Sequence, residues 1–106
     1  MNEKRCRELV YARSNSACEM CDRALGREVH HRKNRSQGGK WTPENALHLC
    51  TFCHHFATVN PAVARENGWS VSAYQDPATV PALLARHGLV YLTPDGQTIP
   101  TERTAA

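Results

Sequence analysis

The chain has 106 residues, 41% of them apolar and 22% charged, with a formal net charge of +3. That is the composition of a soluble globular domain, and a chain this short buries too small a core to be comfortable without a staple. No apolar run approaches the roughly 18 residues of a membrane span, and the basic segment 1–7 is not followed by a signal-peptide core, so a cytoplasmic protein with no membrane partner is expected.

The charge is unevenly placed. Residues 1–59 carry ten Lys/Arg against six Asp/Glu, and residues 60–106 three against four. A basic first half suits a polyanionic partner.

Taken in order, residues 2–13 read as a helix capped by Asn2, with Glu3 and Glu8 toward its start and Cys6, Leu9, Val10 and Arg13 on one face. Arg5, Arg7 and Arg13 are expected to project outward, as a solvated face or as phosphate contacts. Residues 14–22 are polar and hold Cys18 and Cys21. Residues 27–31 alternate as a short strand, and residues 32–41 form a loop that carries Arg32, Lys33, Arg35 and Lys40 and is eased by Gly38 and Gly39. Thr42 ahead of Pro43, Glu44 and Asn45 reads as a cap and a first helical turn.

Residues 47–49 alternate, which predicts that His48 points away from the core. Cys50 and Cys53 follow, with a helix from Cys53 to about residue 58 that Asn60 and Pro61 end. Beyond it, residues 61–68 predict a short helix with Gly68 past its C-terminus, and Trp69 is expected to pack back onto the first half. Residues 81–87 predict another helical turn or two, with His87 at a helix C-terminus, where a cationic ring is favoured. Residues 89–92 and 97–100 predict a β-hairpin turning at Thr93, Pro94, Asp95 and Gly96. Residues 101–106 read as a frayed tail.

The chemistry is concentrated between residues 18 and 54. Each CxxC presents two thiolates from one tight turn, and two such knuckles complete the tetrahedral shell of a closed zinc site. The gap from Cys21 to Cys50 exceeds the common one of about 15–20 residues, so something large is inserted between them. Paired cysteines in a reducing compartment bind metal or do redox work; a redox reading is weak for two knuckles around a histidine centre. Cys6, the fifth cysteine, is expected to be a small buried thiol. Adjacent histidines on a strand face opposite ways, so His30 and His31 divide naturally into a ligand and a base. His54, beside a knuckle and at a helix start, is placed to converge with His30 on a second metal.

The run from Val29 through His30, His31, Arg32, Lys33, Asn34, Arg35, Ser36 and Gln37 to Gly38 and Gly39, with Glu44, Asn45 and the stretch Leu49, Cys50, Thr51, Phe52, Cys53 and His54, resembles the HNH endonucleases. It looks especially like the small phage-encoded and McrA-like members with a four-cysteine zinc site. The resemblance covers residues 16–58. It implies a small α+β fold: a ββα-metal (His-Me finger) core with a structural zinc site, an N-terminal helix and a C-terminal β-hairpin. The expected organisation is one nuclease domain over 1–106, with a helix at 1–15, a zinc-bound core at 16–59 and an extension at 60–106.

By the same resemblance, His31 is the general base and Asn45 fixes the loop that aims it. His30 and His54 hold one catalytic divalent cation, which would be manganese, cobalt, nickel, magnesium or zinc. Cys18, Cys21, Cys50 and Cys53 hold the structural zinc. Arg32, Lys33, Arg35 and Lys40 track the DNA backbone. The implied function is metal-dependent cleavage or nicking of DNA, in the bacterial host cytoplasm for a phage-encoded protein, with phage packaging (terminase) proteins as partners. Two positions depart from the pattern: many relatives have Asp where this chain has His30, and colicin-type members have a histidine where it has Thr58, which leaves His55 as a candidate third ligand. The rival reading is a zinc-ribbon module that binds nucleic acid or protein without cutting. Such a module has no use for adjacent histidines with Asn45 and His54 at these spacings.

Overall fold

Helix α1 spans Glu3–Ser14 in the computed structural model, which describes residues 1–102. Asn2 caps it as the sequence predicts, its side chain accepting from the Arg5 backbone N–H at 2.8 Å. The chain then passes through Asn15 in the left-handed region and reaches the first cysteine pair.

Strand β1, Glu28–His31, pairs antiparallel with β2, Ala46–Leu49, with His30 opposite Leu47 and His31 opposite Ala46. Helix α2, Thr51–Val59, follows at once and begins two residues earlier than the sequence suggests, because Cys50 itself serves as its cap. The Cys50 Sγ accepts from the Cys53 N–H at 3.4 Å. Helix α3, Pro61–Glu66, is the predicted short helix, and Gly68 lies beyond its end with φ +73°.

Residues 81–87 are not helical. Ala82–Leu84 is a strand, β3, and β4 (Gly88–Leu92) and β5 (Thr98–Pro100) complete a three-stranded antiparallel sheet. His87 therefore sits in the β3–β4 connection and not at a helix end. The predicted hairpin is present as β4 and β5, joined through Gly96 at φ +84°. Of the expected tail, residues 103–106 lie outside the described residues.

Two hydrophobic clusters clothe the β1–β2 pair on its two faces. Cys6 and Val10 of α1 pack with Ala46, Val29 and Trp41 on one face. On the other, Leu47 and Leu49 pack with Cys18, Cys50 and Cys53 and with Ala82, Leu84, Val90 and Leu92 of the second sheet. Every residue of β2 is buried in consequence. His48 is correctly placed on the face opposite Leu47, but that face is covered by α1: its ring stacks on Tyr11 at 4.4 Å and bonds Ser14 at 2.8 Å. The expectation that it points away from the core is overturned.

Two arginines expected at the surface are interior. Arg13 is paired with Glu19 at 2.8 Å, and both side chains are almost fully buried. Its guanidinium also donates to the carbonyls of Pro43 and Ala46. Arg32 is 1% exposed. Its guanidinium donates to the carbonyls of Gly68, Glu44, Pro77 and Val80 at 2.5–3.0 Å. Burial, with Arg13 nearby, pushes its pKa down to about 10, which leaves it charged at neutral pH. It ties the β1 end to the C-terminal half, and it has no surface to offer a phosphate. Arg32→Met leaves four carbonyls without their donor and is expected to cost at least about 3 kcal/mol, read as a lower urea midpoint by tryptophan fluorescence.

Candidate active site

Alternation along β1 sends Glu28 and His30 to the α2 side and Val29 and His31 to the α1 side. On the α2 side the His30 and His54 rings meet edge-on, with centroids 5.1 Å apart. The His30 Nε2 lies 2.7 Å from the Trp69 carbonyl oxygen, and the His54 Nδ1 lies 2.7 Å from a Glu28 carboxylate oxygen. Such oxygens only accept, so each of these nitrogens carries a proton, which leaves the opposite nitrogen of each ring as the one that could face a cation. Histidines that bind metals have this arrangement, one nitrogen ligating and the other donating to a carbonyl or carboxylate. Burial, reinforced by His54, His31 and Arg32 and opposed by the Trp69 carbonyl, pulls the His30 pKa down to about 4. His30 is neutral, as a ligand must be.

On the α1 side the His31 ring meets Trp41 edge-on at 4.4 Å, and the Arg7 guanidinium lies over Trp41 at 4.9 Å. Trp41 is a packing residue, set against the cluster of Cys6, Val10 and Ala46. The His31 Nε2 is buried and has no hydrogen-bond partner among the described residues. Burial lowers the His31 pKa, with Arg35 and Arg7 adding to it and Glu3 opposing. The ring is neutral near pH 7 and keeps a nitrogen able to take a proton.

Asn45, 1% exposed, closes the loop between the strands at both ends. Its side chain accepts from the Lys33 N–H at 2.7 Å and donates to the Lys33 and Lys40 carbonyls at 3.1 Å. Its own carbonyl accepts from the Arg32 N–H. The two loop glycines have different reasons: Gly38 needs φ +89°, and a Cβ on Gly39 would fall 1.8 Å from the Lys33 carbonyl oxygen. Lys33 and Lys40 edge an open cleft of about 550 Å³ between this loop and residues 74–77. Arg35 and Lys40 are exposed, while Lys33 is half-buried. His55 is exposed on α2, one residue round the helix from His54, and the Thr58 hydroxyl donates to the His54 carbonyl.

Cys18, Cys21, Cys50 and Cys53 place their Sγ atoms all within 4.8 Å of one another. Four thiolates about 2.3 Å from a zinc ion stand about 3.8 Å apart, so this group could hold one with little movement. Burial pushes the Cys50 and Cys53 thiols up, and Cys18 adds to it, while at Cys18 the N–H donors of Cys50, Cys21 and Met20 outweigh burial and lower the thiol. The cluster sits inside the larger hydrophobic core. Cys6 lies apart in the other cluster, buried, and burial raises its thiol.

These features share one stretch of chain with a known counterpart. Residues 18–58 match the family model of HNH endonuclease. The four-cysteine cluster fits the zinc-binding HNH type. No curated protein and no solved structure matches the chain. The HNH segment contains both knuckles, the histidine pair on β1, Asn45 and His54, and it stops before α3. Helix α1 and everything from residue 59 onward lie outside it. Among the described residues no helix is long and apolar enough to cross a membrane.

Sequence reasoning missed two partners of the histidines. Glu28 was available from the same alternation that separates His30 from His31, since it lies two residues before His30 on the same face. Trp69 was not, because its backbone carbonyl approaches from 39 positions further along the chain. Asn45→Ala is expected to cost about 2–3 kcal/mol through the loop groups it leaves unbonded, and to speed exchange of the Lys33 amide hydrogen. Unchanged exchange there would show that the loop is held without it.

Proposed function

We propose that the protein is a metal-dependent DNA endonuclease or nickase that hydrolyses phosphodiester bonds. The observation that carries this reading is the His30–His54 pair, each ring with one nitrogen engaged by an acceptor, with His31 on the opposite face of the same strand, in a segment that matches the HNH model. A binding module that does not cut has no need of this arrangement.

His30 and His54 would hold one divalent cation, whose chemistry when bound is to stabilise charge on the phosphate and on the departing 3′ oxygen. His31, neutral at working pH, takes a proton from the attacking water. Asn45 holds the loop that starts immediately beyond His31. Lys33, Arg35 and Lys40 bind backbone phosphates, which gives salt-sensitive association with little sequence preference. The four cysteines bind one zinc as a staple. Residues 1–106 act as one domain in this reading, because the core around the cysteines includes Ala82, Leu84, Val90 and Leu92 of the extension.

Purified protein is expected to retain about one zinc per chain, and Cys50→Ser to melt well below the parent or to aggregate, since binding of a structural metal is linked to folding. Full stability of a zinc-free sample removes the staple from the account.

In the decisive assay, supercoiled plasmid is incubated with the protein and single divalent metals. Two imidazoles suit borderline ions, and magnesium keeps its waters and prefers oxygen, so manganese, cobalt or nickel is expected to support nicking at lower concentration than magnesium. His31→Ala is expected to cut about a hundred- to ten-thousand-fold more slowly and to bind duplex DNA with unchanged affinity and salt slope. Cleavage at the parent rate would place the base elsewhere.

A further inference from the structure

We propose that the chain beyond the HNH segment completes the cation site: the Trp69 backbone carbonyl fixes His30 in the tautomer protonated at Nε2, so that Nδ1 is the nitrogen presented to the metal. This rests on the reading of His30 as a ligand and assigns a positioning role to residues that no part of the family match covers.

A neutral imidazole has two tautomers of similar energy, and a ligating histidine must have the bare nitrogen on the metal side. At His30 the choice is forced by a single neighbour. With the proton on Nε2, the ring donates to the Trp69 oxygen at 2.7 Å. With the proton on Nδ1, the Nε2 lone pair would face that oxygen across the same distance with no hydrogen between them. Buried polar atoms are not left in that state.

The carbonyl is held where it is by bonds on every side. The Trp69 N–H donates to the Ala64 carbonyl at the end of α3, and the indole Nε1 donates to Leu83 at 2.7 Å. Its ring packs against Phe56 of α2. On either side of it, the Gly68 carbonyl accepts from the Arg32 Nε at 2.7 Å, and the Val71 N–H donates to the Arg32 carbonyl at 2.9 Å. The 68–71 segment is thus clamped to the residue two positions after His30. Gly68 has no room to shift toward the second sheet, since a Cβ there would lie 1.9 Å from the Pro81 oxygen. Arg32 and Trp69 therefore act together, one pinning the segment and the other offering its carbonyl.

The test uses the full zinc-loaded chain and two readouts, neither of which is cleavage. With ¹⁵N-labelled histidine and no added second metal, a two-bond ¹⁵N–¹H correlation spectrum is expected to show His30 protonated at Nε2 only. A proton on Nδ1, or averaging between the two tautomers, overturns the proposal. The second readout is manganese affinity, followed by electron paramagnetic resonance of the free ion. Replacing Ser70 by its α-hydroxy acid turns the Trp69 carbonyl into an ester carbonyl, a weaker acceptor, and also removes the Ser70 N–H bond to Ala64. Replacing Trp69 by its own α-hydroxy acid removes a bond to that same Ala64 oxygen and leaves the Trp69 carbonyl an amide, while it weakens the Gly68 carbonyl as an acceptor for the Arg32 Nε, so it reports what loosening the clamp alone does. The Ser70 ester is expected to bind manganese about ten- to a hundred-fold more weakly than the parent. A Ser70 ester that binds manganese as tightly as the parent overturns the proposal, as does a parent that binds no manganese beyond its cysteine site. If both readouts come out as expected while every metal leaves plasmid intact, the nuclease reading fails and the tautomer assignment stands.

Discussion

An isolated pair of short strands is at best marginally stable in water, so the β1–β2 ribbon that carries the histidines depends on having both faces covered. Helix α1 covers one with Cys6, Val10 and Tyr11, and the cysteines with the second sheet cover the other. Polar ties hold these layers in register. Arg13 of α1 bonds Glu19 of the first knuckle and the carbonyls of Pro43 and Ala46, while Glu19 also accepts from the His48 N–H at 2.8 Å. A buried ion pair of this kind adds little net stability against an apolar replacement, but breaking it strands a charge, so it acts chiefly to specify one arrangement. The knuckle, the helix and the ribbon are thereby locked to one another through a single guanidinium.

What was legible in the sequence was what is decided locally. The Asn2 cap, the two CxxC turns, the end of α2 at Asn60 and the turn through Asp95 and Gly96 each depend on residues a few positions apart, and each stands where the residues put it. The apolar run at 82–84 is short enough to suit a helix or a buried strand, and only its pairing with β4 decides between them. His48 shows a different limit: alternation tells which face a side chain takes, and it does not tell whether water or a helix lies beyond that face.

The same division runs through the site. The directions of His30, His31, Asn45 and His54 relative to one another were readable from spacing, because strand periodicity and the knuckle fix them. Arg32 was misread because it stands among loop cations, and nothing near it in sequence reveals that its donors are taken by carbonyls at 44, 68, 77 and 80. A charged side chain at a strand end can equally face solvent or cross-link distant backbone. The outcome depends on how many unpaired carbonyls the fold brings to it.

The adjacent histidines of β1 answer to different neighbourhoods. Burial is the largest influence on both, but beyond it His31 feels Arg35, Arg7 and Glu3, two of which belong to α1, whereas His30 feels the carbonyl of Trp69. Direct interaction between the two rings is a lesser influence on His30 than burial or that carbonyl. A change beside Trp69 and one beside Arg7 act first on different rings. Selection acting on this scaffold can therefore adjust the proton affinity of one ring and the orientation of the other along separate axes, although the two residues are joined by a single peptide bond.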